Sequence, residues 1–267
     1  MQYLSTRNNQ LRETFTNILF QGLSKEGGLF LPEKWPSIDV NTLRNKSYEE
    51  VALKIIYPFV NKDISEADLY TIIQLTYMNF SHSKIAPLVK IEKNKYILEL
   101  FHGPTFAFKD YALQFLGNLF THVLPKASKK LTVLGATSGD TGSAAIHAFR
   151  GKQDINVFIL HPHNRVSEVQ RRQMTTIQES NIFNIAIEGN FDDCQNIVKE
   201  LFIDEEIQQY TSLTAINSIN WARLMAQVVY YFWAYLQIEQ EKINFIAVSY
   251  THLRAHETDS YLVCRLL

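Results

Sequence analysis

A lysine with aromatic neighbours is the residue of this chain best suited to covalent chemistry. Lys109 lies in the segment FHGPTFAFKD, residues 101–110, beside Phe106 and Phe108. An amine in a partly desolvated, apolar setting loses proton affinity, and a neutral amine can attack a carbonyl to form a Schiff base. The pattern predicts this role only if the aromatic rings are also neighbours in space. The alternative is a solvated lysine.

The second candidate is a loop with three hydroxyl side chains and two glycines. It reads ATSGDTG, residues 136–142, and it follows an apolar strand. Glycines let the backbone approach a ligand closely, and the free amides of a helix start bind anions. The loop lacks the lysine of a nucleotide-binding loop, and the next strand ends Leu160-His161-Pro162 without the acidic residue of a dinucleotide site. We therefore predict a small phosphate or carboxylate ligand. The alternative is a capped turn that binds nothing.

The third candidate is the segment NSINWAR, residues 217–223. It offers two amides, one hydroxyl and the Arg223 guanidinium, whose fork suits phosphate or carboxylate. The alternative is an ordinary helix start, with Asn220 as the cap and Arg223 in solvent.

Alternating strands and helices must position these segments. Residues 88–91 and 96–100 are typical of a hairpin. Strands are then predicted at 131–135, 155–160, 182–187 and 243–248, and helices at 108–120, 141–150, 167–177, 191–202 and 221–237. Such alternation indicates an α/β fold with a mostly parallel sheet flanked by helices, and ligands of such sheets bind beyond the carboxyl ends of the strands. Residues 1–82 are predicted to be a helical N-terminal segment.

Composition excludes several classes of protein. The 267 residues carry 26 Lys and Arg and 27 Asp and Glu, a net charge of −1, so we expect no nucleic-acid partner. The longest apolar run, Val228–Leu236, is far shorter than the roughly 20 residues of a membrane span. Two cysteines are too few for a disulfide framework. These features, with no recognisable signal peptide, predict a cytoplasmic protein.

In this order and spacing, the three segments resemble those of the threonine synthase family. YLSTR at residues 3–7 and GGLFLP at 27–32 add to the resemblance, which extends over about residues 1–248. The family implies a fold-type-II enzyme of the tryptophan-synthase-β type, dependent on pyridoxal 5′-phosphate. It also implies the conversion of O-phospho-L-homoserine and water to L-threonine and phosphate.

The resemblance also implies roles for individual residues. Lys109 would form the Schiff base with the cofactor, and Asp140 would lie near the cofactor's phenolic oxygen. The residues implied in substrate binding are Thr137, Ser138, Gly139 and Thr141 of the loop, with Asn217, Ser218, Asn220 and Arg223 of the third segment. Close alternatives are a serine/threonine dehydratase and a sulfhydrylase, although their substrates need no second phosphate clamp. An alternative of another class is a non-catalytic anion-binding fragment.

The chain departs from the family pattern after residue 248. Family members have a glycine-rich loop there that holds the cofactor phosphate, and a later partner for the pyridine nitrogen. Here residues 249–258 read SYTHLRAHET. We expect a truncated, inactive chain with an N-terminal domain at 1–82, an incomplete enzyme domain at 83–248 and a non-native tail at 249–267. His252 and His256 are not expected to bind a metal.

Overall fold

Helices dominate the first third of the chain, and strands and helices alternate after it. The computed structural model describes residues 1–124, 130–216, 220–238 and 242–247. The strands are β1 (Tyr3–Ser5), β2 (Phe30–Pro32), β3 (Leu88–Glu92), β4 (Lys95–Leu98), β5 (Leu131–Ala136), β6 (Ile155–Pro162), β7 (Ile182–Ile187) and β8 (Ser212–Ala215). The α-helices are α1 (Phe15–Gln21), α2 (Tyr48–Val60), α3 (Glu66–Tyr77), α4 (Lys109–Val123), α5 (Asp140–Phe149), α6 (Glu168–Thr175), α7 (Phe191–Ile203), α8 (Glu205–Tyr210) and α9 (Trp221–Leu236). Asn217, Ser218 and the predicted tail at 249–267 lie outside the described residues.

The central sheet has four parallel strands in the order β7-β6-β5-β8. Strand β5 is buried along almost its whole length. Residues of α4 and α5 share the main core with one side of it, and α7 packs against β5 and β6. Under α7, Leu134, Leu160 and Cys194 form a second, smaller apolar cluster. The predicted α/β fold with a helix-flanked parallel sheet is confirmed.

One edge of this sheet differs from the prediction. Strand β8 pairs with β5 but was not predicted, because SLTA is short and only Thr214 within it is buried. The predicted strand at 243–248 is not present in its described part: residues 243–247 contain a single bridge residue, Phe245, and Val248 lies outside the described residues. An isolated apolar run does not by itself show which strand it will pair with.

The N-terminal segment is not entirely helical, which corrects the prediction for residues 1–82. Helices α1, α2 and α3 are present, and Ser47 and Glu50 form a capping box at the start of α2. However, β1 and β2 pair as antiparallel strands. Tyr3 is fully buried and its hydroxyl donates to the Phe59 carbonyl at 2.7 Å. Local periodicity misses such a pair because its partners are distant in sequence.

Helix α9 joins the N-terminal helices to the part of the chain that carries the sheet. Its aromatic rings contact those of α2. The ring centres of Trp233 and Tyr48 are 5.4 Å apart, and those of Trp221 and Phe59 are 5.5 Å apart. Tyr230 lies 5.8 Å from Tyr111 of α4. One core therefore includes residues from both parts. None of the described helices has the length and apolar character needed to cross a bilayer.

Asn181 bonds four backbone groups where α5, the following loop and β6 meet. Its Nδ2 donates to the carbonyls of Phe149, Lys152 and Ile155, and its Oδ1 accepts from the Gly151 N–H. Because the side chain is buried, Asn181→Ala should leave these groups unsatisfied and lower the free energy of unfolding by about 2–4 kcal/mol. The matched change at the exposed cap of α7, Asn190→Ala, should cost only about 1 kcal/mol. Urea unfolding of both variants tests this, and equal losses would contradict it.

Candidate active site

The lysine-bearing segment is a turn that a buried aspartate holds closed. The two carboxylate oxygens of Asp110 accept from the Thr105 N–H and the Thr105 hydroxyl, both at 2.8 Å. A side chain at Gly103 would overlap Asp110, so the glycine is needed for this approach. The turn also holds Phe106 at a φ of +59°, in the left-handed region that disfavours residues other than glycine. Asp110 thereby sets where α4, and with it Lys109, begins.

Lys109 is the first residue of α4, and its side chain is only 15% exposed. Its Nζ lies 5.3 Å from the centre of the Phe108 ring, whereas Phe106 is 70% exposed. Burial lowers the pKa of this amine, the carboxylate of Asp140 opposes that shift, and the guanidinium of Arg223 adds to it. The pKa therefore lies below its ordinary value, and the alternative of a solvated lysine is wrong.

The loop after β5 brings Asp140 to the lysine. Oδ2 of Asp140 lies 3.4 Å from Nζ of Lys109, and the other oxygen accepts from the amide of Gln170 on α6. Asp140 is 42% exposed, so it combines a contact to a desolvated cation with a face open to solvent. Lys109 and Asp140, predicted from two different segments of the sequence, are thus in direct contact.

The hydroxyl of Thr137 is used within the loop itself. It is buried and accepts from the N–H groups of Gly139 and Gly142 at 3.0 and 2.9 Å. These two amides are therefore bonded within the loop and are not among the free amides expected at this helix start. Ser138 is exposed and Thr141 half-buried, and these hydroxyls remain at the loop surface. Gly139 has a φ of +149°, which a residue with a side chain rarely adopts.

The start of α9 places Arg223 inside the protein. Arg223 is 2% exposed and its Nη1 donates to the Ile216 carbonyl at 2.8 Å, so the alternative in which it faces solvent is wrong. Asn220 caps the helix through the Ala222 N–H and donates to the Leu19 carbonyl, each at 3.0 Å. Its amide thus holds α9 to α1. Asn217 and Ser218, predicted beside them, lie outside the described residues.

A cavity of about 290 Å³ lies at the carboxyl ends of β6 and β7, and Lys109 is not among its lining residues. His161 belongs to β6 and is buried, while His163 is paired with Glu188 at 2.6 Å. Arg171 also lines the cavity and pairs with Glu168. The described residues contain no group of three or more His, Cys, Asp or Glu able to hold a metal.

Sequence reasoning missed two residues of the site. They are Asp110, which lies within the lysine motif, and Gln170, which lies within the helix predicted at 167–177. An acidic residue five positions after a threonine and a Ser-x-x-Gln helix start are visible in the sequence. Neither pattern shows that Asp110 bonds Thr105 or that Gln170 reaches Asp140, because those contacts depend on how the loop and α6 are placed.

Comparisons with known proteins agree on the relatives of this chain. The model of a family described as "Pyridoxal-phosphate dependent enzyme" matches residues 83–251, and that of "Threonine synthase N terminus" matches residues 2–77. The chain is 52% identical over 241 residues to the threonine synthase of Pseudomonas aeruginosa, covering 89% of this chain and 51% of that one. It is 42% identical over 269 residues to that of Saccharomyces cerevisiae, covering 92% and 52%.

Solved structures show the same likeness. The crystal structure of pyridoxal-phosphate-bound threonine synthase from Brucella melitensis has a TM-score of 0.85 and 48% identity, over 90% of this chain and 53% of that one. The Escherichia coli threonine synthase has a TM-score of 0.80 and 36% identity, over 91% and 55%. The chain spans about half the length of the curated relatives it matches.

The closed lysine turn gives a direct test of Asp110. In Asp110→Asn, an amide replaces the carboxylate that accepts from both Thr105 donors, and we expect a loss of about 1.5–3 kcal/mol in the free energy of unfolding. Asp68→Asn is the matched control, since Asp68 lies in the first turn of α3 with its side chain 51% exposed, and it should cost below about 1 kcal/mol. Denaturant unfolding measures both. A loss at Asp110 no larger than that at Asp68 would show that Asp110 does not hold the turn.

Proposed function

Because the chain belongs to the family of pyridoxal-phosphate-dependent enzymes and matches a threonine synthase N terminus, we propose that it takes part in threonine synthesis. The reaction is the conversion of O-phospho-L-homoserine and water to L-threonine and phosphate, a carbon–oxygen lyase reaction on a phosphate ester. The observation that carries the proposal is the Lys109 amine, desolvated and 3.4 Å from Asp140 within the motif of the resemblance. No observation favours a dehydratase or a sulfhydrylase.

The residues present suit pyridoxal phosphate. The cofactor supplies an aldehyde for an amine and a ring that withdraws electrons from the substrate's Cα. Lys109 has the lowered proton affinity that bonding to an aldehyde requires. Asp140 lies beside that amine, and the resemblance implies a position near the cofactor's phenolic oxygen for this residue. Gly139, with its positive φ and no side chain, leaves room in this turn for the amide of Gln170.

Lys109 has two tasks in the proposed reaction. As a neutral amine it would hold the cofactor through its aldehyde, and as a base beside the substrate it would move protons at Cα and Cβ. The lowered pKa supports both tasks, because a larger fraction of the amine is neutral at a given pH. Asp140 limits this shift and keeps Nζ oriented. Phosphate leaves from Cγ and water adds at Cβ.

Substrate recognition is assigned to the loop and to the start of α9. Ser138, Gly139 and Thr141 would contact the carboxylate or phosphate, while Thr137 holds their loop in shape through its two backbone bonds. Arg223 is the buried cation near Lys109, and we assign it to the leaving phosphate, together with Asn217 and Ser218. Asn220 positions this segment through its bond to Leu19.

The proposal also covers the organisation and location of the chain. We assign residues 1–82 to an N-terminal domain and 83–248 to the enzyme domain, supported by the ranges of the two family matches. We also propose a cytoplasmic location, where the buried thiol of Cys194 would stay reduced.

Chemical trapping tests the role of Lys109. After incubation with pyridoxal phosphate and reduction with borohydride, peptide mapping should place the pyridoxyl group on Lys109, and Lys109→Ala should abolish that label. Lys152 is the matched control, because burial also lowers the pKa of its amine but it contacts Asn118 rather than a carboxylate. Lys152→Ala should retain the label on Lys109. Labelling mainly at Lys152, or unchanged total labelling in Lys109→Ala, would refute the assignment.

Ligand binding tests the role of Arg223. Arg223→Ala should weaken O-phospho-L-homoserine binding by about 10- to 150-fold, the equivalent of one charge-assisted contact, and pyridoxal phosphate binding far less. Arg223→Lys keeps the positive charge but not the forked guanidinium, so it should weaken O-phospho-L-homoserine binding less than Arg223→Ala does. Arg172→Ala, at an arginine with a 70% exposed side chain, should change neither. Calorimetry on variants with native circular dichroism measures this, and equal losses for both ligands would make Arg223 a structural residue.

A further inference from the structure

We propose that Gln170 is a positioning residue of the active site, whose amide holds the Asp140 carboxylate so that one of its oxygens faces the Lys109 amine. This inference rests on the proposed role of Lys109. Gln170 lies in the first turn of α6, outside the three segments of the resemblance.

A chain of three side-chain contacts carries the inference. The Ser167 hydroxyl donates to Oε1 of Gln170 at 2.8 Å, which leaves Nε2 as the donor. Nε2 contacts Oδ1 of Asp140, and Oδ2 of the same carboxylate contacts Nζ of Lys109. The amide therefore binds the one oxygen that the lysine does not use. Ser167 is also the N-cap of α6. The start of this helix therefore sets the orientation of all three side-chain contacts.

The space for this contact comes from Gly139. Any side chain at that position would overlap the amide of Gln170. The glycine that lets the loop adopt a φ of +149° thus also lets α6 place Gln170 against the loop. Two features that are separate in the sequence, the SGD turn and the Ser-x-x-Gln helix start, are fitted to each other in the structure.

Burial alone does not fix the orientation of the Asp140 carboxylate, so a hydrogen-bond partner is required to hold it. Its side chain is 42% exposed, whereas that of Lys109 is 15% exposed. A carboxylate with that much access to water gains little from a single ion pair and can rotate into solvent. The groups acting on Lys109 are Asp140 from α5, which stabilises the ammonium, and Arg223 from α9, which disfavours it. Asp110, the next residue, is bonded to Thr105 instead.

If Gln170 acts through Asp140, removing it should resemble removing the carboxylate. In Gln170→Leu the Asp140 side chain is released, and the desolvated amine of Lys109 loses the anion that stabilises its charged form. The pH at which Lys109 becomes half reactive should fall by on the order of half a pH unit or more. Asp140→Asn should lower it at least as much. The double variant should match Asp140→Asn alone, because Gln170 then has no carboxylate to hold.

The measurement is trace labelling of amines with 1-fluoro-2,4-dinitrobenzene from about pH 6 to about pH 11, quantified at Lys109 by peptide mass spectrometry. It needs no cofactor, so it separates this inference from the proposed function, which the borohydride trapping tests. Gln173→Leu is the matched control: Gln173 lies one turn further along α6, and its amide donates to the Thr105 carbonyl at 3.2 Å rather than to Asp140. That variant should leave unchanged the pH at which Lys109 becomes half reactive.

Each outcome decides the proposal. A downward shift in Gln170→Leu that is absent from Gln173→Leu and not additive with Asp140→Asn supports it. No shift, an equal shift in Gln173→Leu, or full additivity with Asp140→Asn would overturn it. If Gln170→Leu does not fold, Ser167→Ala provides the second test, since it removes the group that orients the amide. A smaller shift in the same direction is expected, and an unchanged midpoint would count against the proposal.

Discussion

The Lys109 amine occupies a largely buried position in which one carboxylate stabilises its charge. That balance depends on both partners being held. Asp110 closes the turn before α4 and so sets where the lysine begins its helix. On the other side, the Thr137 hydroxyl closes the turn that presents Asp140. The reactive pair is thus positioned by buried polar groups that do not themselves contact it. In a low-dielectric setting such fully bonded groups make the geometry specific.

The arrangement of helices explains how distant parts of the sequence reach one site. Helix α4 carries the lysine, α5 carries Asp140, and α9 carries Arg223. Helix α4 is packed against both α5 and α9. The turn that carries Asp140 follows strand β5 at the carboxyl end of the parallel sheet, where ligands of such sheets bind. Aromatic contacts of α9 with α2 tie the N-terminal helices into the same core. A shift of α9 would therefore change the field at Lys109 as well as the packing.

Much of the fold followed from periodicity and capping. The strands β5, β6 and β7 and the helices between them match their predicted positions closely, because each is an apolar run bounded by local signals. The hairpin of β3 and β4 was equally local. The pairs β1–β2 and β5–β8 were missed, since 24 or more residues separate the paired strands and neither β1, β2 nor β8 exceeds four residues. Local pattern cannot decide a pairing whose stability comes from the partner strand and the shared core.

At the site, the sequence identified which residues carry the chemistry, and the tertiary structure decided how they are used. The motif around Lys109 and the ATSGDTG turn were recognisable from residue types and spacing. Their residue types also indicated a reactive amine at Lys109 and an anion-binding loop after the strand. Only the packed structure brought Asp140 to 3.4 Å from the lysine and buried Arg223. It also turned the Thr137 hydroxyl inward and placed Gln170 on Asp140. The physical reason is that proton affinity and hydrogen bonding depend on burial and on neighbours in space, and neither is a property of a short stretch of chain.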